Sequence, residues 1–304
     1  MLVFYFYHEL NKRQTMSLTF IKFSSTYFWY FCVHGLAIPF LALFLNYRGF
    51  SSLAIGELIA IYTATRIIGP TFWAMFADKT GKQLFVIRLG AFLAFACFCS
   101  LFWAQGYWSI AFALASFSLF WTAILPQLEV HTLNSVRQSS KIYARVRLWG
   151  SIGFIFIAVT TGEAISQLGY QVFTSIGACI LAGLFISTLL LPKNYTKTDT
   201  TEGYQESVAE SSVLARKSTA DSSAISHKLV ETQFLAFFAA GILLQISFAP
   251  YYGFFALFLR DFGYSGLAIG IFISLGVLAE IIVFIYMGAL FKHFSWYSLL
   301  IFSL

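Results

Sequence analysis

Three ionisable side chains, Arg66, Glu163 and Glu280, lie inside long apolar stretches of this sequence. A charged residue at the centre of a membrane costs about 2.5 to 3.5 kcal/mol on translocon-based scales, so such residues usually face a polar interior. We therefore expect Arg66 and Glu280 to face a central cavity, Arg66 as the partner of an anion and Glu280 as a site for a proton or a substrate charge. The alternative is that each is half of a structural ion pair. Glu163 is expected at the membrane surface.

A second pair of opposite charges consists of Glu129 and Arg147, which are eighteen residues apart. Each lies at the end of an apolar stretch, and a short polar turn between them would bring the ends of two antiparallel helices together. In a partly dry cleft the two charges would stabilise each other and could be exchanged for polar groups of a ligand or for a proton. The alternative is an exposed salt bridge, which is worth less than about 1 kcal/mol.

A polar turn containing Asp78, Lys79, Gly81 and Lys82 separates two of the apolar stretches. Its carboxylate can cap a helix end and pair with cationic neighbours when this side of the protein is closed. We therefore expect the turn to act as a gate, and we group Arg145 with it. The alternative is an ordinary positively charged loop.

Aromatic residues are abundant, with 36 Phe, 16 Tyr and 7 Trp. Most aromatic rings in such a chain face lipid or the membrane surface. Tyr251 and Tyr252 are candidates for a ligand site, because the adjacent Pro250 and Gly253 should loosen the helix and unwound backbone can bind a ligand. For His34 we expect a hydrogen-bonded interior histidine rather than a proton relay.

The elements that must carry these residues are membrane-spanning helices. The 304-residue chain is 59% hydrophobic and 11% charged, with a mean hydropathy of +0.77, which excludes a soluble domain. A span needs about 20 apolar residues. Eight stretches of sufficient length are present, and they run approximately from Tyr27 to Leu45, Leu53 to Ala77, Leu84 to Trp103, Trp108 to Leu128, Leu148 to Ile165, Val172 to Leu191, Phe234 to Leu259 and Leu267 to Phe291.

Several other classes of protein are excluded by the sequence. The four cysteines lie within apolar stretches without metal-ligand spacing, so neither a disulfide framework nor a metal site is expected. No phosphate-binding loop, dinucleotide fingerprint or catalytic-serine motif is present. We therefore expect no enzyme activity and no cofactor. The net charge of +6 is spread over short loops, so it reflects membrane topology and not a nucleic-acid partner.

The polar segments predict the orientation and the domain boundaries. Lys and Arg are concentrated in loops on one side, while the other side holds only Arg48 and Arg260, which places the N-terminus in the cytoplasm. Residues 192–231 are rich in Ser, Thr, Glu and Lys and are expected to form a cytoplasmic linker. This linker divides an N-terminal six-helix bundle, residues 1–191, from an incomplete C-terminal bundle, residues 232–304.

An internal repeat supports this division. Residues 40–60 and 254–274 match at twelve of twenty-one positions with an offset of 214. Each copy covers the end of one span, a short turn and the start of the next span. Parallel repeats of this kind relate the two six-helix halves of major facilitator transporters, which bind substrate near the midplane between the halves. The alternative is convergent hydrophobic composition, although lipid does not require the shared polar positions.

Two motifs resemble those of a known superfamily. The turn at Asp78 resembles the signature loop of the major facilitator superfamily, and the segment beginning at Tyr143 is similar to the fifth-helix motif of lactose-permease-like proton symporters. In that motif the second Arg pairs with an acid eighteen residues upstream, which implies a pair between Arg147 and Glu129. The ring that stacks on sugar in those permeases corresponds to Phe154, a Phe in place of Trp.

A second resemblance suggests a substrate and a fold. The segments 251–254, 263–265 and 274–280 resemble the 3-phenylpropionate transporters of the same superfamily. This resemblance implies an all-α polytopic membrane protein with the major facilitator fold. The fold is expected to be truncated, with a complete six-helix bundle and about two and a half helices of the second bundle, because residues 294–304 are too short to finish a ninth span.

The implied function is a proton-coupled symporter of a small organic anion, such as the aromatic acid 3-phenylpropionate. Glu280 or Glu129 would be protonated, substrate would bind near Arg147 and Arg66, and the turn at Asp78 would gate the rocking motion. Its partners would be the substrate, protons and the lipid of the cytoplasmic (inner) membrane, and we expect a monomer. The alternatives are a nucleoside or sugar symporter with the same mechanism, or an inactive, truncated remnant of a transporter.

Overall fold

The computed structural model of this chain describes residues 2–135, 139–192 and 232–293. Within these ranges the backbone forms nine α-helices, a 3-10 turn at Ser100–Phe102 and no β-strand. The helices are α1 Leu2–Tyr47, α2 Ser52–Thr80, α3 Gln83–Cys99, α4 Tyr107–Trp121, α5 Ile124–Ser135, α6 Ser140–Leu168, α7 Val172–Leu189, α8 Thr232–Asp261 and α9 Gly266–His293. Residues 193–231 of the expected linker and the expected ninth stretch, 294–304, lie outside the described residues.

Eight segments of the described chain are long and apolar enough to cross a membrane, which confirms the prediction of eight spans. Helices α4 and α5 together form one of them, Tyr107–Ser135. The first span begins at Leu18 rather than near Tyr27. Polar residues at its start do not end the helix, because the buried Thr26 hydroxyl donates to the Lys22 carbonyl one turn earlier at 3.1 Å.

The fourth span is interrupted between α4 and α5, at Thr122 and Ala123. Pro126 has no backbone N–H with which to bond the Thr122 carbonyl one turn earlier, and its ring crowds that carbonyl. The Thr122 N–H still donates to the Ser118 carbonyl at 3.0 Å. Proline therefore ends the first helical segment immediately after Trp121.

Two compact units are described separately. One consists of residues 1–193 and 252–302, and the other consists of residues 194–251 and 303–304, of which the structure describes residues 232–251. In the first unit α6 packs against α1 and α7 from the first half of the sequence and against α9 from the second half. Helix α6 therefore joins elements from both halves of the sequence.

The two copies of the sequence repeat have the same backbone geometry. The turn between α1 and α2 contains Gly49 with φ 87°, and the turn between α8 and α9 contains Gly263 with φ 84°. The Gly49 N–H donates to the Asn46 carbonyl at 2.9 Å, and the Gly263 N–H donates to the Arg260 carbonyl at 2.8 Å. A positive φ is favourable for glycine because it has no Cβ, so both copies need glycine at this position.

Equivalent residues of the two copies also contact each other. Arg260 Nη1 donates to Asn46 Oδ1 at 2.6 Å, and the two residues are 214 positions apart. In an isologous arrangement a residue meets its own equivalent only near the twofold axis. This hydrogen bond therefore places the axis that relates the repeats between the C-terminal ends of α1 and α8.

Glycine residues allow α1 and α6 to approach closely. A Cβ added at Gly35 would overlap the backbone oxygen of Phe154, and a Cβ added at Gly153 would overlap the backbone oxygen of Phe28. Small residues at such interfaces let helix backbones pack directly against each other, and this van der Waals packing is one of the forces that drive helix association in lipid.

Small residues also form the contact between α6 and α9. A Cβ added at Gly162 would overlap the Gly266 carbonyl oxygen, and a Cβ added at Gly270 would overlap the Ala158 carbonyl oxygen. The contact thus involves the C-terminal half of α6 and the first turns of α9. The N-terminal half of α6, which carries Arg147, remains partly exposed.

Gly153→Ala is expected to lower the unfolding temperature of the detergent-purified chain, because the added methyl group would force α1 and α6 apart. Such overpacking typically costs about 1 to 3 kcal/mol. Gly241→Ala is the matched control, because Gly241 is also helical and no atom of the described residues lies within 4 Å of an added Cβ there. Alanine is the better helix former, so this variant should not lose stability. Equal unfolding temperatures for the two variants would contradict the close packing of α1 and α6.

Candidate functional site

Arg66 lies in the middle of α2 with its side chain half-buried against α1 and α4. Its Nη2 is 3.3 Å from Nε2 of His34 on α1. The guanidinium carbon lies 5.8 Å from the ring centroid of Tyr62 and 5.5 Å from that of Trp121. Cation–π contacts of this kind are worth about 0.5 to 2 kcal/mol, so they help to hold the charge in the bundle without neutralising it.

No carboxylate neutralises Arg66 within the part of the chain that the structure describes. The ion pairs formed there are Arg147 with Glu129 and Arg260 with Asp261, and the one hydrogen bond of the Arg66 guanidinium is with His34. Those residues therefore provide no acidic partner for a structural ion pair with Arg66. The site is left with a positive charge that an anion can balance.

Stacked aromatic rings form one side of this site, which we call the aromatic wall: Tyr30, Tyr62, Phe117 and Trp121. Trp121 stacks on Tyr30 at 4.9 Å and on Phe117 at 5.9 Å, and Phe117 stacks on Tyr62 at 6.3 Å. The three pairs have interplanar angles of 17°, 19° and 13°. Three helices, α1, α2 and α4, are held together by this stack, which fixes the position of Arg66 relative to His34.

Trp121 is fully buried, and its ring also lies 4.4 Å from that of His34. Its indole nitrogen Nε1 has no hydrogen-bond partner among the described residues. A buried donor without an acceptor costs about 1 to 3 kcal/mol, and such a group calls for an explanation in ligand binding or function.

The structure brings Glu129 and Arg147 together, as the spacing predicts. Arg147 Nη1 donates to Glu129 Oε1 at 2.6 Å, and the Tyr143 hydroxyl donates to the same oxygen at 3.1 Å. Tyr143 and Arg147 are one turn apart on α6, and α5 supplies Glu129 after the break in the fourth span. The side chains are 49% exposed for Arg147 and 32% exposed for Glu129, so the pair is only partly buried among the described residues. Its functional role stays a prediction.

One face of α1 links the two cationic groups. The guanidinium carbon of Arg147 lies 5.9 Å from the ring centroid of Phe31, and Phe31 stacks on His34 at 5.4 Å with an interplanar angle of 24°. Because His34 contacts Arg66, a continuous series of contacts runs from Arg66 through α1 to Arg147 and Glu129. These residues form the candidate site.

The structure places three other predicted site residues outside this series of contacts. Phe154 is only 6% exposed and lies in the contact between α1 and α6, so ring stacking on a ligand stays a prediction. Tyr251 and Tyr252 are exposed. The expected unwinding beside them is wrong, because α8 continues as a helix through Pro250 and ends only at Asp261.

The predicted acidic residues have different surroundings. Glu280 is exposed on α9, at the repeat position equivalent to Arg66, and no contact joins these two side chains. Within the described ranges Glu280 forms no hydrogen bond or ion pair. Glu163 accepts a hydrogen bond from Gln167 Nε2 at 2.5 Å near the C-terminal end of α6.

The predicted gating turn ends α2. Gly81 has φ 63°, and its N–H donates to the Ala77 carbonyl at 2.8 Å, so it caps the helix in the left-handed conformation that suits glycine. Asp78, Lys79, Lys82 and Arg145 are exposed. Among the described side chains, neither Asp78 nor Arg145 has an ion-pair partner, so the gating role stays a prediction.

Sequence reasoning missed His34 and Trp121 as parts of the site. A usable signal is present, because Tyr30 and His34, Tyr62 and Arg66, and Tyr143 and Arg147 are all pairs separated by four residues. Residues at this spacing lie on one face of a helix. An aromatic residue one turn before a cationic or basic residue therefore occurs on α1, α2 and α6, the three helices that line the site.

Eight apolar spans, a repeated span–turn–span unit and a positively charged interior site define a polytopic helical membrane protein of the transporter class. The family model of the MFS_1 like family matches residues 20–304. The chain therefore belongs to this family of the major facilitator superfamily.

Known relatives agree with this family. The chain is 28% identical over 279 residues to the Probable 3-phenylpropionic acid transporter of Escherichia coli (strain K12), covering 91% of this chain and 69% of that protein. It is 24% identical over 262 residues to the Uncharacterized transporter YwbF of Bacillus subtilis (strain 168), covering 84% of this chain and 60% of that protein.

A solved structure confirms the fold. The crystal structure of the nucleoside transporter NupG superposes with a TM-score of 0.68 at 17% identity, covering 90% of this chain and 68% of that chain. The predicted major facilitator fold and the predicted superfamily are thus confirmed.

Glu129→Gln, Arg147→Gln and the double variant are expected to unfold within about 1 kcal/mol of the parent chain, because solvent screens a half-exposed ion pair. A double-mutant cycle on the unfolding free energy measures the coupling. Trp121→Ala removes a fully buried ring and should lower the unfolding free energy by about 3 to 5 kcal/mol. This variant shows that the assay detects a loss of that size. A coupling energy above about 3 kcal/mol would instead be that of a desolvated, buried pair.

Proposed function

We propose that this chain is a proton-coupled symporter of a small aromatic carboxylate. The observation that carries the proposal is the Arg66 guanidinium, which is half-buried among aromatic rings and has no carboxylate partner in the described part of the chain. A buried cation without a counter-charge is costly, and an anionic ligand would remove that cost.

The chemistry around Arg66 suits an aryl acid. A guanidinium carries five N–H donors and can bind a carboxylate through two parallel hydrogen bonds. In Arg66 only one of these donors is bonded to His34, so the others remain available for a ligand. The rings of the aromatic wall are buried beside this guanidinium, and such apolar surroundings suit a ligand whose carboxylate is attached to a ring. The relative whose name refers to 3-phenylpropionic acid supports the choice of this substrate.

Protons supply the driving force in this proposal, with Glu280 and Glu129 as the acceptors from solvent. Glu129 accepts hydrogen bonds from Arg147 and Tyr143 through one oxygen, and a proton on that oxygen would compete with them. Substrate binding near Arg147 and protonation of Glu129 would then influence each other. Glu280 is exposed among the described residues, at the repeat position equivalent to Arg66.

Alternating access would rock the two halves of the protein about the repeat axis. Small residues hold α6 against α9 at Gly162 and Gly266, while the end of α6 at Arg147 is half-exposed. We propose that the Arg147 end faces the cytoplasm, as the distribution of Lys and Arg implies, and that the turn at Asp78 with Arg145 closes it. The protein would act as a monomer in the cytoplasmic membrane.

Proteoliposomes with an inward proton gradient test this proposal with radiolabelled 3-phenylpropionate. Arg66→Gln is expected to reduce uptake about 10- to 100-fold, because a hydrogen bond to a charged group is worth about 1.5 to 3 kcal/mol. Arg66→Lys should have an intermediate effect, since it keeps the charge but loses the planar fork. Glu280→Gln should abolish or shift the pH dependence of 3-phenylpropionate uptake.

Arg48→Gln is the matched control, because Arg48 is also half-buried and contacts an aromatic ring but lies in the turn after α1, outside the site. Unlabelled uridine and maltose serve as competitors for the nucleoside and sugar alternatives. Competition by uridine or maltose but not by 3-phenylpropionate would contradict the proposed substrate class. Unchanged uptake and pH dependence in Glu280→Gln would remove the proton role of Glu280.

A further inference from the structure

The hydrogen bond between Arg66 and His34 fixes the charge state of His34 in the empty site. Arginine has only donors, so His34 Nε2 must accept the hydrogen bond from Arg66 Nη2. A nitrogen that accepts a hydrogen bond carries no proton, and His34 is therefore neutral. Protonation of Nε2 would break this bond and place two cations side by side.

The groups that face His34 explain why a second positive charge is excluded from the empty site. Tyr30 and Phe31 on α1 and Trp121 on α4 surround the ring with aromatic surface. The charged groups around it are Arg66 on α2 and, beyond Phe31, Arg147 on α6 with its partner Glu129 on α5. The nearest charge is thus a cation, and the one carboxylate in this set is already bound to another cation.

A carboxylate that binds Arg66 would reverse this balance. The two oxygens of a carboxylate offer about four acceptor positions, so the ligand can accept two hydrogen bonds from the Arg66 guanidinium and still present one oxygen to His34. An anion next to the imidazole favours its protonated form, since opposite charges at about 4 Å attract strongly in a medium of low dielectric constant. Anion binding and proton binding would therefore promote each other, as thermodynamic linkage requires.

The unpaired donor of Trp121 is an independent observation that points to a ligand oxygen here. Its buried Nε1 has no acceptor in the described part of the chain, and its ring contacts both Arg66 and His34. An incoming carboxylate would supply the missing acceptor. The site then offers three kinds of donor to one carboxylate: a guanidinium, an indole and, once protonated, an imidazolium.

We propose that His34 holds the proton when substrate is bound. The ligand carboxylate replaces the direct hydrogen bond between Arg66 and His34, and a proton from solvent, arriving directly or by way of a glutamate, resides on His34 Nε2 and donates to the carboxylate. This inference rests on the proposed function and deepens it, because it assigns the proton of the loaded state. It differs from the expectation that His34 is an ordinary interior histidine.

The net charge of the site is the same with and without ligand. The empty site carries one positive charge, on Arg66, and the loaded site carries Arg66, the carboxylate and protonated His34, which again sum to one positive charge. Anion and proton thus enter together without changing the charge inside the apolar bundle. This constancy avoids an additional cost of burying charge in either state.

The test uses the purified full chain in detergent with 3-phenylpropionate as the probe. Between about pH 6 and 8 the ligand stays ionised, so any proton that is taken up on binding is bound by the protein. Binding should take up close to one proton per ligand in weakly buffered solution. The dissociation constant should rise by about tenfold per pH unit, because one proton is bound together with the anion.

His34→Gln keeps an acceptor for Arg66 but cannot take a proton, so its binding should be weaker, independent of pH and without proton uptake. His131→Gln is the matched control, because His131 is also a buried histidine but bonds the Pro192 carbonyl outside the site. It should behave as the parent chain does. The neutral amide of the ligand should bind weakly and without proton uptake.

The outcomes separate this inference from the proposed function. Proton uptake that persists in His34→Gln but disappears in Glu129→Gln or Glu280→Gln would overturn the role of His34 and leave the symporter proposal intact. Absence of 3-phenylpropionate binding to the parent chain at every pH would overturn both.

A second measurement uses only the parent chain, so it does not depend on whether a substitution at His34 folds. Histidine-selective NMR of the parent chain should show one additional imidazolium when ligand is added at about pH 7.5, where a histidine of ordinary pKa is neutral. An unchanged histidine spectrum with ligand bound would contradict the proposal.

Discussion

The structure depends on how a single guanidinium is accommodated in a bundle that crosses lipid. Arg66 is held by a neutral histidine and by the faces of two aromatic rings, which orient its charge but do not cancel it. Partners of this kind offset only part of the cost of taking a cation out of water. The remaining imbalance favours an anion, and the proposals for the substrate, the coupled proton and the balance of charge all rest on it.

The scaffold serves to keep the groups around this charge in register. Glycines at the contact of α1 and α6 bring the helix that carries His34 and Phe31 close to the helix that carries Arg147. The break before α5, which Pro126 causes, separates the buried Trp121 from Glu129. The same α6 packs on α9 through small residues, so one helix connects the site to the second copy of the repeat.

Much of the fold could be predicted from the sequence, because hydropathy and repetition are local signals. Eight spans, the repeated turn with its glycine and the meeting of Glu129 with Arg147 all follow from segment length and spacing. The aromatic wall could not be predicted in this way, since it depends on which faces of α1, α2 and α4 meet. The contact of His34 with Arg66 could not be predicted either, because hydropathy does not identify the partner of a buried polar residue, although an aromatic residue four positions before His34, Arg66 and Arg147 is visible in the sequence.

The claim that an anionic substrate binds at Arg66 is tested most directly by a distance in the membrane-embedded protein. Solid-state NMR can measure the separation between the carboxylate carbon of ¹³C-labelled 3-phenylpropionate and ¹⁵N-labelled arginine side chains. We expect a separation of about 3.5 to 4 Å, as in a bidentate pair, that is lost in Arg66→Lys and kept in Arg48→Lys. The same short distance in Arg66→Lys, or no short distance in the parent chain with ligand bound, would contradict the account.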